Sequence, residues 1–241
     1  MLVEFSVENF RSFKEKATFS MLASDDTSLE DTNVITLPDG KRLLKSAVIY
    51  GANASGKSNL LMAMDFMSYL IYNSRRMDPN EPINITPFKL CPELKDKPSR
   101  FDIIFYCDGV KYAYGFATTR TEITEEYLHR FPNGSDDSEN IFTRDHSLPN
   151  EYAFDNVPDP SVLKYLCQFN ADNKLYLSTA VLFNYKDFIG IYNWLCDFRY
   201  YDEREAHRIL GKSYYEKDTA SNNERYCVEK PLNGLKVLTL V

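Results

Sequence analysis

Residues 51–58 read Gly-Ala-Asn-Ala-Ser-Gly-Lys-Ser and have the Gly-x4-Gly-Lys-Ser spacing of a phosphate-binding loop. Gly51 and Gly56 would let the backbone approach a phosphate where a Cβ atom would clash. The N–H groups of such a loop point at the anion, and the helix that follows adds roughly half a positive charge at its N-terminus. Lys57 is expected to reach the β- and γ-phosphates, and the Ser58 hydroxyl is a candidate Mg²⁺ ligand.

A Gly-bounded turn between a strand and a helix that binds nothing is the alternative interpretation of this loop. Such a turn has no need of Lys followed by Ser, and the flanks of the loop also fit a nucleotide site. Residues 46–50 are apolar and rich in β-branched and aromatic side chains, as in a buried parallel strand. Residues 59–72 lack Gly and Pro and are apolar nearly all round, which predicts a helix buried on more than one side. We therefore expect ATP and Mg²⁺ at this loop.

Composition and charge narrow the class of protein. The 241 residues are 44% hydrophobic, which indicates a globular chain, and the formal net charge of −7 argues against a broad nucleic-acid-binding face while leaving a local patch open. The five cysteines have no Cys-x-x-Cys pair, which predicts reduced, mostly buried thiols and no zinc site of familiar spacing. We find neither a signal-peptide pattern nor an apolar run of membrane-spanning length, so we expect a cytoplasmic protein with no membrane partner.

The order of apolar patterns predicts an α/β fold in three stretches. Residues 1–76 contain N-terminal strands, the loop and its helix. Residues 77–160 contain a proline-rich crossover and an antiparallel β-meander, whose clearest hairpin turns at Asp108-Gly109. Residues 161–241 contain a helical segment and an incomplete C-terminal part of the same domain.

Individual elements are predicted from the period of the apolar residues. The expected strands or extended segments are 2–10, 17–22, 34–37, 101–107, 110–117, 123–131, 141–144, 175–177 and 235–241. Beyond the helix that follows the loop, the expected helices are 161–169 and 188–196. Together with the loop, these elements predict a mixed sheet with one helix placed at the phosphate site.

Two motifs carry a resemblance to a known family. The first is the strand end Asn9-Phe10-Arg11-Ser12-Phe13, and the second is the loop continued to Asn59. Together they resemble the ATP-binding-cassette ATPases of the SMC and RecF type. Within that group the chain is most similar to bacterial AAA-family ATP-binding proteins linked to abortive phage infection. Shorter phrases at 43–51, 114–116 and 175–178 stand in the order associated with that family.

The resemblance implies a P-loop NTPase fold and an ATP-binding lobe that works in phage defence or DNA transactions. It places Arg11 and Ser12 beside the nucleotide, on a strand next to the loop, and gives Asn53 a role in holding the γ-phosphate or its attacking water. An ordinary surface arginine at a strand end is the alternative for Arg11. With the loop motif, the candidate nucleotide-binding residues are Arg11, Ser12, Gly51, Asn53, Ala54, Ser55, Gly56, Lys57, Ser58 and Asn59. Of these, Lys57 is also the candidate catalytic residue.

The sequence departs from that family in its second half. We find no LSGG-like signature, no apolar run ending in Asp-Glu (the Walker B segment) and no switch histidine. The closest run, 103–108, ends in Asp108 followed by Gly109, and the hairpin explains that aspartate. His207 is expected on a solvated helix face. We therefore expect the N-terminal portion of an ATPase, either a natural remnant or a split or truncated product. It should bind ATP with little turnover and take the missing half from a homodimer or a partner chain.

Two other functions stay open from sequence. The chain could be a non-hydrolysing module that senses ATP and acts on a separate effector protein, which the missing Walker B segment favours. It could also be a small-molecule P-loop kinase, which would need an Arg-rich lid that we do not find. The nucleic-acid preference and the oligomeric state are not decided by the sequence.

Overall fold

The computed structural model describes residues 1–37, 39–53, 55–132 and 135–197, together with the backbone of 239–240. Its centre is a seven-stranded antiparallel sheet in the order β10-β9-β8-β7-β6-β1-β2. These strands are β1 (Leu2–Glu8), β2 (Ala17–Ser20), β6 (Ser99–Cys107), β7 (Val110–Thr118), β8 (Ile123–Phe131), β9 (Glu139–Asp145) and β10 (Tyr152–Phe154). Two short pairs complete the described strands: antiparallel β3 (Val34–Thr36) with β4 (Arg42–Leu44), and parallel β5 (Val48–Ile49) with β11 (Thr239–Leu240).

The described helices lie in three parts of the chain. They are α1 (Glu30–Asn33), α2 (Lys57–Asn73), α3 (Pro160–Leu166), α4 (Tyr176–Leu182) and α5 (Lys186–Cys196). The crossover at 77–98 contains no strand and only one 3₁₀ turn, at Pro92–Leu94, as its prolines predict. The meander is confirmed, and its β6–β7 turn has positive φ at both Asp108 (49°) and Gly109 (80°), as a type I′ hairpin requires.

Alternation along the strands gives the sheet one apolar face and one mixed face, on which charged side chains lie beside an apolar cluster of Val3, Leu43 and Tyr106. The apolar side chains pack against α2, α4 and α5, and Phe105 of β6 stacks on Trp194 of α5 with ring centroids 4.1 Å apart. The opposite face holds a cavity of about 550 Å³, whose walls include the charged side chains of Arg100 and Asp102 and the ring of Tyr127. Small side chains on β7 leave room there, because a Cβ atom at Gly115 would lie 2.6 Å from both the Asp102 carboxylate and the Tyr127 ring.

At three elements the structure differs from expectation. The strand before the loop is parallel as predicted but not buried, since Val48 is 50% exposed. Helix α2 is buried on more than one side as predicted, since Phe66 packs on the sheet and Ser68 bonds to α5, but Met62, Tyr69 and Tyr72 form an exposed stripe that its apolar composition did not predict. The extended segment predicted at 175–177 is instead the start of helix α4.

The start of α4 is fixed by a buried carboxylate. Glu126 of β8 is fully buried and accepts hydrogen bonds from the backbone N–H groups of Tyr176 (2.5 Å) and Leu177 (3.0 Å). The Tyr114 hydroxyl donates a third bond to the same carboxylate at 2.9 Å. These contacts satisfy N–H groups that a helix end leaves without partners, and so they override the strand preference of the local sequence.

The thiols are less buried than expected. Among the described residues, Cys91, Cys107, Cys167 and Cys196 form no disulfide bond, and of these four only Cys107 is buried. Among the described residues no His, Cys, Asp and Glu side chains cluster as a metal site would require. Within the same ranges, none of the helices is long and apolar enough to cross a membrane.

Several expectations lie outside the described residues. They concern Ala54 of the loop, Cys227, His207 with its charged surroundings, and most of the predicted strand 235–241. Only Thr239 and Leu240 of that last segment are described, as the strand β11.

Candidate functional site

The phosphate-binding motif forms the entry into α2, the longest described helix. Gly56 is the N-cap residue, with φ of 95° and ψ of 2°, and no side chain caps this end of the helix. That backbone conformation is left-handed, which favours glycine. The first four N–H groups of an α-helix have no partner within the helix. The start of this 17-residue helix therefore presents donors and a positive dipole end to an anion.

Lys57 folds back over the loop that precedes it. Its Nζ atom donates to the backbone carbonyls of Gly51 at 2.7 Å and Ala52 at 3.0 Å. An ammonium group has three donors, so one more is available for a phosphate oxygen. These contacts hold the positive charge at the mouth of the loop, and a side chain that is already placed costs less entropy to organise on binding.

The loop turns tightly at its start. A Cβ atom at Gly51 would lie 2.7 Å from Ser55 Oγ, so the Ser55 hydroxyl would have to move. The Ser55 N–H donates to the Ala52 carbonyl at 3.1 Å and closes a turn inside the loop. Asn53, Ser55 and Ser58 are exposed to solvent, as candidate contacts of a diffusible ligand must be. The loop is thus tightly turned yet accessible.

The Asn9–Phe13 motif lies directly beside this loop. Phe10 and Phe13 pair through reciprocal backbone hydrogen bonds of 2.9 and 2.8 Å and close a tight turn after β1. Ser12, on this turn, accepts a 2.8 Å hydrogen bond at Oγ from Asn59 Nδ2 in the first turn of α2. A Cβ atom added at Gly56 would lie 3.0 Å from the same oxygen. The structure therefore brings Ser12 against both the loop and the helix start.

The backbone around Arg11 corrects one expectation. Arg11 and Ser12 lie in a turn, not on a strand next to the loop, and the strand before them, β1, is paired with β2 and β6. Arg11 has φ of 50°, and its N–H donates to the Thr86 carbonyl at 2.9 Å. Its guanidinium is exposed and lies 5.6 Å from the Phe10 ring centroid.

Aromatic packing holds the turn in place. Phe10 is 2% exposed and lies between Phe66 of α2, at 5.6 Å between ring centroids, and Phe101 of β6, at 5.3 Å. Phe66 and Phe101 also touch each other, at 5.1 Å. Burial of such a side chain contributes about 1.5–3 kcal/mol, so the cluster fixes the turn relative to both the sheet and the P-loop helix. The sequence did not predict this contact between Phe10 and Phe66.

Asp108, the nearest sequence candidate for a Walker B aspartate, lies far from the loop. Ser99, at the other end of β6, bonds the Asn9 carbonyl and so marks the end of the sheet next to the Ser12 turn. Eight residue steps of about 3.3 Å separate Ser99 from Cys107, roughly 26 Å along the strand. Asp108 follows Cys107 in an exposed hairpin turn. The hairpin therefore accounts for Asp108, as the sequence predicted.

A comparison with protein families decides the class of this chain. A family model described as "AAA domain, putative AbiEii toxin, Type IV TA system" matches residues 46–220, which include the whole loop. The chain belongs to this family. Its members are P-loop ATPases, so membership implies the P-loop NTPase fold and nucleotide binding, and it confirms the resemblance to AAA-family proteins. No curated protein matches the chain.

Proposed function

We propose that this AAA-domain chain is the ATP-binding lobe of an SMC/RecF-like P-loop ATPase that acts in phage defence or DNA transactions. The observation that carries this proposal is the uncapped start of α2, with Lys57 held over the loop carbonyls. The family description, which names an abortive-infection toxin and a toxin–antitoxin system, supports the defence role. We place the protein in the cytoplasm.

Each residue of the site has a task that follows from its position. The N–H groups at the start of α2 and the Lys57 ammonium would hold the phosphates. The Ser58 hydroxyl is exposed beside them and is suited to ligate Mg²⁺, which would neutralise charge on the β- and γ-phosphate oxygens. Asn53 would face the γ-phosphate from the loop. Ser12 and Arg11 would form the wall on the side of the Asn9–Phe13 turn.

Calorimetric titration with ATP, in the presence of Mg²⁺ and then of a chelator, tests the proposal. We expect saturable binding to one site per chain, weakened by the chelator because Ser58 would hold a metal ion that offsets phosphate charge. Inorganic phosphate should compete weakly, since it occupies the same donors without the rest of the nucleotide. Failure of Mg-ATP to bind at millimolar concentration would contradict the proposal.

An ATP-sensing module that does not hydrolyse ATP is the second candidate function. It is favoured by the position of Asp108 in a hairpin turn roughly 26 Å along β6 from the end of the sheet nearest the loop. Such a module would present an ATP-dependent surface to a separate effector protein. In either case we expect ATP to favour a homodimer, or a complex with a partner chain, that completes the site.

We predict that the isolated chain hardly turns ATP over. Hydrolysis needs a carboxylate to fix the metal and another group to orient the attacking water. The nearest Walker B candidate, Asp108, lies in the β6–β7 hairpin turn, and the described residues contain no cluster of three or more His, Cys, Asp or Glu side chains that could hold a metal. Steady-state phosphate release at saturating Mg-ATP should equal that of Lys57→Ala. Robust release that Lys57→Ala abolishes would show that a carboxylate completes the site and would exclude the non-hydrolysing module.

Arg11 is predicted to contact the bound nucleotide. Arg11→Ala should weaken Mg-ATP binding by about 1.5–3 kcal/mol, the contribution of a charged hydrogen bond. Arg76→Ala removes an equally exposed arginine at the far end of α2 and serves as the control in the same titration. Equal affinities of the two variants would make Arg11 an ordinary surface residue.

A further inference from the structure

We infer that Asn9 is a positioning residue for the nucleotide site. It joins residues 86–98 of the crossover to the Phe10–Phe13 turn, and the position of this turn affects the affinity of the loop for ATP. The inference rests on the proposed ATP binding. It adds a residue that lies outside the loop and is not one of the proposed contacts with the nucleotide. Asn9 is 2% exposed, so it cannot itself be a surface contact of the ligand. Its effect must pass through the residues that it holds.

The Asn9 side chain is saturated with bonds to the crossover. Its Nδ2 donates to the backbone carbonyls of Leu94 (2.9 Å), Lys97 (3.0 Å) and Pro98 (3.2 Å). Its Oδ1 accepts from the Phe88 N–H at 3.1 Å. The two hydrogens of Nδ2 are shared among the three carbonyls, so this buried amide bonds to four backbone groups of a segment that lies in no strand, and losing such partners costs free energy in a buried place.

The backbone on either side of Asn9 is tied to the same region. The Asn9 carbonyl accepts from Ser99 Oγ at 2.5 Å, at the first residue of β6. Two residues later the Arg11 N–H donates to the Thr86 carbonyl at 2.9 Å. The crossover and the start of β6 are therefore hydrogen-bonded to Asn9, just before the turn, and to Arg11, within it. These bonds hold the turn and the crossover together.

The Phe10–Phe13 turn also contacts the nucleotide loop. Ser12 Oγ accepts from Asn59 Nδ2 and lies against Gly56, while Phe10 packs on Phe66 of the same helix. Asn59 is in the first turn of α2, whose N–H groups face the phosphate. A shift of the turn would therefore displace Ser12 from the helix start, and small displacements at a binding site lower affinity strongly.

The backbone conformation explains why this position takes asparagine. Asn9 has φ of 50°, in the left-handed region where Asn and Gly are tolerated and most other side chains are strained. Glycine would keep that conformation but lose the four side-chain bonds. Aspartate would place carboxylate oxygens against three carbonyl oxygens. Asn9→Gly therefore removes the side-chain hydrogen bonds while it keeps the backbone conformation.

Asn173 offers a matched control at the other end of the crossover. It is 1% exposed, and its Nδ2 donates to the carbonyls of Asp78 and Glu81, each at 2.8 Å. It therefore anchors the same segment through the same chemistry, but away from the Asn9–Phe13 turn. Asn173→Ala should lower the melting temperature as Asn9→Gly does, without changing the affinity for ATP.

The experiment measures Mg-ATP affinity by calorimetry for the wild type, Asn9→Gly, Asn173→Ala and Ser12→Ala, together with the double variant Asn9→Gly/Ser12→Ala. We expect Asn9→Gly to weaken binding about tenfold, with Asn173→Ala close to the wild type. The losses of Mg-ATP affinity caused by Asn9→Gly and by Ser12→Ala should not add up in the double variant, because Asn9 acts through Ser12. Where Asn9→Gly does not fold, Ser99→Ala removes one bond to Asn9 and should show a smaller loss in the same direction.

The possible outcomes separate this inference from the proposed function. Absence of binding by the wild type contradicts the proposed function itself. Normal binding by Asn9→Gly, an equal loss in Asn9→Gly and Asn173→Ala, or additive losses at Asn9 and Ser12 would each overturn the positioning role while leaving ATP binding in place.

Discussion

Lys57→Ala is expected to lower the affinity for Mg-ATP by about a hundredfold and to leave the melting temperature almost unchanged. The loss is large because the ammonium carries a full positive charge that is held over the loop by bonds to the Gly51 and Ala52 carbonyls. The fold should not suffer, because those two carbonyls can bond to water in this accessible loop. Calorimetry and thermal unfolding measure the two effects.

Lys45→Ala is the control for that substitution. Lys45 is an exposed lysine whose Nζ also donates to a backbone carbonyl, that of Asp31, at 3.1 Å. It lies before β5 and outside the loop, so its removal should leave ATP affinity unchanged. Equal affinities of the wild type and Lys57→Ala would mean that any nucleotide binds elsewhere.

Glu126→Ala is expected to lower the free energy of unfolding by about 3–5 kcal/mol, the largest effect on stability that we predict. The substitution leaves two backbone N–H groups at the start of α4 and the Tyr114 hydroxyl buried without their acceptor. Glu125→Ala is the neighbouring control, because the partly exposed Glu125 makes only a surface ion pair with Arg100, worth about 0–1 kcal/mol. Urea unfolding gives both values, and equal losses would contradict this account of α4.

The stability contributed by Glu126 should depend on pH in a defined direction. Burial, the largest influence, raises the pKa of Glu126 above its usual range, although its hydrogen bonds oppose the shift. A carboxyl group whose pKa is higher in the folded than in the unfolded protein contributes most to stability at a pH below its unfolded pKa. This contribution to the free energy of unfolding falls as the pH rises through the folded pKa. The difference in unfolding free energy between the wild type and Glu126→Ala should therefore widen as the pH is lowered toward the unfolded pKa of a glutamate, about 4.3. A constant difference would contradict the raised pKa.

The parts of the structure that the sequence predicted are those fixed by local chemistry. The loop at 51–58 needs left-handed glycine at Gly56 and a helix start behind it, and both follow from the order of residue types. The β6–β7 hairpin needs two positive φ angles, which Asp108-Gly109 supplies. In each case the signal lies within a few neighbouring residues, so one sequence is sufficient.

The parts that the sequence did not predict depend on distant partners. Helix α4 begins where a strand was expected because Glu126, fifty residues earlier, accepts its first N–H groups. Arg11 and Ser12 form a turn because Asn9 and its bonds to the crossover bend the chain after β1. The exposure of Val48 depends on what covers the strand, which its apolar composition does not reveal.

Amide hydrogen exchange with and without Mg-ATP is the measurement that tests the central claim most directly. If the start of α2 and the loop bind the phosphates, protection on adding Mg-ATP should appear in a peptide that spans 51–60. A smaller protection should appear in the turn at 10–13, which touches Gly56 and Asn59. The proposed nucleotide site would be contradicted by protection that appears instead around Arg100, Asp102 and Tyr127, with none at 51–60. Those three residues line the cavity on the face of the sheet opposite the helices.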